Sequence, residues 1–260
     1  MKKLALLAIM AAPAHAGPAD HNTTLTVLTG PQTSRGSVMA ALRIDMANGW
    51  KTYWRAPGDA GIPPQIMWRG SKNIETVAFH WPVPEVFEQD GMRSIGYHDT
   101  VTIPIEVFPN DAGDIHLSGS INIGVCDEIC IPLHLEFDSL LPLDEPRDAA
   151  IAAALLNSPL TASEASVGTV TCTVIPTLDG MQLTTRTALA QQGAESIIIE
   201  TSAPYVWVSE PEVTRTATHI TATSDLIHVN GSSFAVDRAG IRITVLGQGR
   251  AVDIKGCSAS

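Results

Sequence analysis

The sequence predicts an all-β protein built as two β-sandwich domains joined by a short linker helix. Short runs rich in β-branched and aromatic residues recur along the chain, bounded by Gly, Pro, Asn or Asp. Sustained helix propensity is confined to one stretch, residues 149–156. After an N-terminal leader, about 244 residues remain, enough for two domains that each bury a core.

The leader comprises residues 1–16. Lys2 and Lys3 precede the apolar run 4–12, and Ala14-His15-Ala16 supplies the small-x-small cleavage pattern of a secretory signal peptide. That run is shorter than the roughly 20 residues of a membrane-spanning helix, so export to a periplasm as a soluble protein, without direct membrane insertion, is expected. Without the leader, 14 basic residues face 27 acidic ones, a net charge of −13. Nucleic acid and anionic membrane surfaces are disfavoured as partners.

The first sandwich is expected within residues 17–143. Its strands are read at 24–29, 37–46, 76–81, 101–107 and 115–125. The clearest alternation is Ile115, Leu117, Ile121, Ile123 and Val125, interrupted by Gly119, which turns one apolar face inward. Residues 144–166 read as a linker with one short helix, with Pro146 suited to its first position and Asn157-Ser158-Pro159 to its end. The second sandwich is expected over 167–260, with strands at 170–175, 181–187, 196–200, 205–208, 219–223, 226–229, 241–245 and 251–254.

Four cysteines in an exported chain point to oxidised pairs. Cys126 and Cys130 would stand about 13 Å apart in an extended strand, whereas a disulfide needs Cα atoms about 4.4–6.8 Å apart. They can pair only if Asp127-Glu128-Ile129 forms a turn, which the aspartate favours. A small ring at a strand end is more reducible than a long structural bridge. The two acidic neighbours disfavour a thiolate and suit a carrier that reacts with specific partners. An inert hairpin staple is the alternative. Cys172 and Cys257, near the two ends of the second domain, are expected to form a structural disulfide closing an 84-residue interval, worth about 4–5 kcal/mol in the loop-entropy description. A second redox pair is the other reading of these two.

The ordered set Trp50-Lys51-Thr52-Tyr53-Trp54, Trp81-Pro82-Val83-Pro84, Gly96-Tyr97, Val101 to Ile105 and Cys126 to Pro132 resembles the N-terminal periplasmic domain family of the thiol:disulfide interchange protein DsbD, over roughly residues 25–140. The resemblance implies an immunoglobulin-like sandwich, and with it two such domains in this chain. It also implies a redox pair Cys126/Cys130, with Tyr53 beside it and a loop from Phe87 to Met92 covering it. The implied partners are periplasmic thioredoxin-like proteins and a membrane-embedded electron donor. The activity, if enzymatic, would be that of a thiol-disulfide oxidoreductase of the protein-disulfide reductase type, with no cofactor and no metal. The family's better-known members have two more residues between the cysteines.

Cys126, Cys130 and His134, with Glu128 between the cysteines, also match the local spacing of the binuclear copper site of cytochrome oxidase subunit II. Phe137 stands where that site requires methionine. A copper-binding or copper-tolerance protein is therefore the alternative function, and a binding module with only structural disulfides the third. No Gly-x-Ser-x-Gly motif or phosphate-cradling glycine loop occurs to support a hydrolase or a nucleotide-binding protein.

Overall fold

The computed structural model describes residues 23–259 except 90 and 192. The leader expected at 1–16 lies outside the described residues. The first sandwich contains β1 (Thr24–Gln32), β2 (Val38–Asp45), β3 (Lys51–Tyr53), β4 (Gln65–Met67), β5 (Thr76–Phe79), β6 (Glu85–Gln89), β7 (Met92–His98), β8 (Thr100–Phe108), β9 (Ile115–Cys126) and β10 (Cys130–Leu141). One sheet runs β1-β2-β8-β5; the facing sheet runs β10-β9-β3-β7-β6, with β4 also pairing β9. Inward residues of both sheets, among them Leu42, Ile44, Ile103, Ile105, Ile121 and Ile123, are almost wholly buried. This is the half-buried alternation expected of strands with one solvated face.

Gly119 breaks the alternation of β9 for a steric reason. A Cβ there would overlap the Met67 carbonyl and lie 2.8 Å from Phe137 Cζ, so the glycine lets β4 and the Phe137 ring close on β9. Trp54 is fully buried, and Trp50, Trp68 and Trp81 pack partly buried around the same cores.

The helix α1 (Ala149–Leu156) starts later than Pro146. Asp148 caps it, its Oδ1 accepting hydrogen bonds from the Ala150 and Ile151 N–H groups at 2.8 and 3.0 Å. Asn157 ends it and accepts a bond from the Val83 N–H, which ties the helix to the first sandwich. Buried Ile151 packs near Gly30. The segment read as a linker is thus divided between the domains, because β11 (Leu160–Thr161) pairs in parallel with a strand of the second sandwich.

That sandwich comprises β11 with β12 (Val170–Pro176), β13 (Met181–Ala188), β14 (Ser196–Thr201), β15 (Val206–Val208), β16 (Glu212–Arg215), β17 (His219–His228), β18 (Ile241–Gly247), β19 (Arg250–Lys255) and β20 (Ser258–Ala259). Its sheets run β11-β19-β18-β14 and β15-β17-β13-β12-β20, with β16 beside β17. Two strands expected at 219–223 and 226–229 are the single strand β17. Ser224 and Asp225 stay paired opposite Leu183 and Gln182, and Ser224 is buried, so the sheet overrides a local turn signal.

The sandwiches meet along an interface rather than hanging from a free tether. Ile198, Leu246 and Ala251 of the second domain join the core cluster around Trp54. Arg55 lies over the Trp54 ring at 3.8 Å and makes a bidentate pair with Glu200 at 3.1 and 2.9 Å. Among the described residues no helix is long and apolar enough to cross a membrane.

Cys172 and Cys257 are disulfide-bonded with Cα atoms 5.8 Å apart, joining β12 to the connection between β19 and β20. Replacing both by serine is expected to lower stability by about 2–5 kcal/mol in denaturant melts while the Cys126–Cys130 disulfide still forms. Gly96 faces the Thr52 carbonyl so closely that any Cβ would overlap it. Gly96→Ala is expected to destabilise the first domain by about 1–3 kcal/mol, measured as a lowered urea midpoint.

Candidate redox site

β9 and β10 form a long hairpin whose register runs unbroken from Ile115↔Leu141 to Cys126↔Cys130. The cysteines are therefore directly cross-strand, with Cα atoms 4.1 Å apart, and are joined as a disulfide. Asp127-Glu128-Ile129 makes the turn, closed by the Asp127 N–H donating to the Ile129 carbonyl at 3.1 Å. The two sulfurs differ in access. Cys126 is fully buried because β9 has β3 on its other side, whereas Cys130 opens the edge strand β10 and is exposed.

The short strand β3 brings the third reactive group. It pairs with β9 through Lys51↔Cys126 and Thr52↔Val125, and with β7 through Thr52↔Tyr97 and Tyr53↔Gly96. Thr52 is buried and its hydroxyl donates to the Gly124 carbonyl at 2.9 Å. Gly124 has no side chain, and a Cβ there would lie 3.2 Å from Tyr53 Cε2, so the ring can cross β9 toward the cysteines. The Tyr53 hydroxyl stands 3.1 Å from Cys126 Sγ and 3.4 Å from Cys130 Sγ. Burial raises the phenol above its ordinary pKa, so it remains protonated, and a hydrogen-bond donor, at neutral pH.

A cleft of about 200 Å³ opens at Cys130, with Tyr53, Ala60, Gln89, Met92, Asp127 and Glu128 among its lining residues. Met92 is largely exposed on this rim. Phe87 does not line the cleft: Lys51 lies over its ring at 5.1 Å and donates to Gln89 Oε1 at 3.0 Å. Residues 87–89 and Met92 therefore belong to the arm formed by β6 and β7, with the Phe87 ring against Lys51. The carboxylate-bearing Asp127 and Glu128 are exposed on the turn.

His134 is not drawn into this site. It sits four residues along β10 from Cys130, about 13 Å in an extended strand, and its Nδ1 is 2.7 Å from Asn122 Oδ1. Cys126 and Cys130 are bonded to each other, so the donor set of the copper reading does not converge. Among the described residues no group of three or more His, Cys, Asp or Glu side chains is placed to hold a metal ion.

Three contributors escaped sequence reasoning: Gly124, which admits the Tyr53 ring, and Ala60 and Ile62, which follow the aromatic motif and return to the cysteines. Ile62 packs over Gly124. A glycine inside an otherwise β-branched strand was the available signal for Gly124; nothing local marks Ala60 or Ile62. Arg55 and Asp59, whose directions the sequence leaves open, both reach toward the second sandwich, and Glu88 is exposed.

Residues 24–142 match the family described as thiol:disulfide interchange protein DsbD, N-terminal. The crystal structure of the N-terminal periplasmic domain of ScsB from Proteus mirabilis is similar, with a TM-score of 0.67 and 25% sequence identity over 93% of this chain and 95% of that chain. No curated protein sequence matches the chain. The stretch that matches the DsbD N-terminal family model, residues 24–142, is the first sandwich and contains both the Cys126–Cys130 pair and Tyr53.

Proposed function

We propose that this protein is a periplasmic thiol-disulfide interchange protein that relays reducing equivalents through Cys126 and Cys130, from a membrane-embedded donor to thioredoxin-like or other periplasmic partners. The observation that carries this reading is the asymmetry of the pair: one exposed sulfur at a cleft, one buried sulfur, and a protonated tyrosine hydroxyl against both. A purely structural bridge has no need of an open sulfur beside a fixed hydrogen-bond donor.

In the reductive half-reaction a donor thiolate attacks Cys130 Sγ, the accessible atom. The Cys126–Cys130 bond breaks and Cys126 leaves as a thiolate, stabilised by the Tyr53 O–H. A second donor thiol then attacks the donor sulfur of the mixed disulfide and releases Cys130. The donor ends as a disulfide, and the pair has gained two electrons and two protons. In the oxidative half-reaction the Cys130 thiolate attacks a partner disulfide, and Cys126 resolves the mixed disulfide to regenerate the bond. Tyr53 is well placed for both halves because its hydroxyl is within reach of either sulfur. The family match and the ScsB likeness support the periplasmic setting and the class of partner.

Cys126→Ser, which keeps the accessible thiol and removes the resolving one, is expected to accumulate mixed disulfides with periplasmic thiol proteins on non-reducing gels, and Cys130→Ser is expected to accumulate none. A reduction potential below about −300 mV together with no trapped partner would sink the proposal in favour of an inert bond. Tyr53→Phe is expected to slow reduction of the pair by a protein dithiol about tenfold, read by stopped-flow, through loss of the hydrogen bond to the departing thiolate.

A further inference from the structure

We infer that the second sandwich controls access to the Cys126–Cys130 disulfide through the segment 55–63, with Asp59 and Trp207 as a latch that holds this wall of the cleft closed. The inference rests on the thiol-exchange reading and adds a role for the second domain, none of whose residues lines the cleft.

The segment leaves β3 directly after the Tyr53-Trp54 pair and doubles back at Gly58, where φ is +78° and the Gly61 N–H donates to the Gly58 carbonyl at 3.2 Å. On one side it rests on the redox site. Gly61 lies so near the Tyr53 ring that a Cβ would be 2.9 Å from Tyr53 Cδ1, Ile62 packs over Gly124, and Ala60 forms part of the cleft wall. On the other side it is tied to the second domain. Arg55 holds Glu200 at its root, and at its tip Asp59 Oδ1 accepts a hydrogen bond from Trp207 Nε1–H at 3.1 Å.

The start of β7, on which the segment packs at Gly58, is held by the same part of the second sandwich. Arg93, between the cleft residues Met92 and Ser94, pairs with Glu210 at 2.9 Å. Residues 207–210 thus tie both elements, the segment through Asp59 and the start of β7 through Arg93. Behind the segment lies an interdomain cavity of about 490 Å³, lined by Pro57, Gly58 and Asp59 on one side and by Ile198, Trp207 and Glu210 on the other. The Ile95 N–H donates to the Pro57 carbonyl at 2.9 Å and anchors the root of the segment on β7, while its tip at Asp59 faces the cavity and has room to move. Trp207 is 43% exposed and the Glu210 side chain 54% exposed, so both ties sit at the rim, where hydrogen bonds and ion pairs are weak enough to open without unfolding a domain.

The test uses the full chain. Asp59→Ala and Trp207→Phe are each expected to raise the rate constant for reduction of Cys126–Cys130 by dithiothreitol about three- to tenfold, with thermal midpoints unchanged. Asp59→Asn is expected to keep the wild-type rate, because the amide oxygen still accepts the indole N–H. In the two opened variants the Tyr53 phenol, lifted by burial, should titrate lower as water reaches it, a change that a merely stabilising second domain would not produce. Glu210→Gln, on the other tie, should accelerate reduction in the same direction and provides an independent check should either latch variant fold poorly. Rate constants within twofold of wild type in Asp59→Ala, Trp207→Phe and Glu210→Gln would overturn the latch, as would an Asp59→Asn variant as fast as Asp59→Ala. A wild-type pair that dithiothreitol does not reduce would remove the exchange reading and the latch with it; a reactive wild type with unresponsive variants removes the latch alone.

Discussion

The three-residue strand Lys51–Tyr53 is the constraint on which the site depends. It is hydrogen-bonded on both edges, to β9 and to β7, so its register is fixed from two sides. A slip of one residue would turn Tyr53 away from the cysteines, because side chains alternate faces along a strand. Two glycines make the double pairing possible: Gly96 lets β7 approach the Thr52 carbonyl, and Gly124 lets the tyrosine ring cross β9. The sheet thereby delivers a phenol to within hydrogen-bonding distance of two sulfurs without any loop having to be ordered for it.

The same strand links chemistry to the rest of the chain. Trp54, next after it, is the fully buried centre of the cluster that takes in Ile198, Leu246 and Ala251 from the second sandwich. Arg55 covers that tryptophan and pairs with Glu200 across the interface, a largely buried guanidinium whose charge is met by a carboxylate in bidentate geometry. Candidate redox site, interdomain core and interdomain ion pair therefore follow one another within three residues, 53–55. The two disulfides sit at opposite extremes of this organisation. One joins residues four positions apart at an open hairpin tip, and the other joins residues 85 positions apart at the far ends of a sandwich.

Much of this was legible from particular residues. The alternation of Ile115, Leu117, Ile121 and Ile123 marked β9, and the run of alanines up to Asn157 marked α1. The turn demanded by the Cys126/Cys130 spacing is the turn found. Tyr53 was legible through family resemblance, as was its nearness to the pair. The strands β3, β4, β6 and β7 were not; β3 and β4 have three residues each, too few to show a period of their own. Phe87 was singled out through the family resemblance, as part of a cover for the disulfide, and in the structure the pairing of β6 with β7 places its ring against Lys51.

By itself the sequence determined the all-β class, the two-sandwich division, the helix between them and the need for Asp127-Glu128-Ile129 to turn. These follow from short-range physics, namely periodicity, backbone preference and the reach of a disulfide. Only the tertiary structure decided that Cys126 is shielded and Cys130 open, that His134 stands apart from both, and that Arg55 and Asp59 face the second sandwich. Those outcomes depend on which strands lie side by side and which edge is left free, and, for Arg55 with Glu200 and Asp59 with Trp207, on residues 145 and 148 positions apart that no local pattern relates.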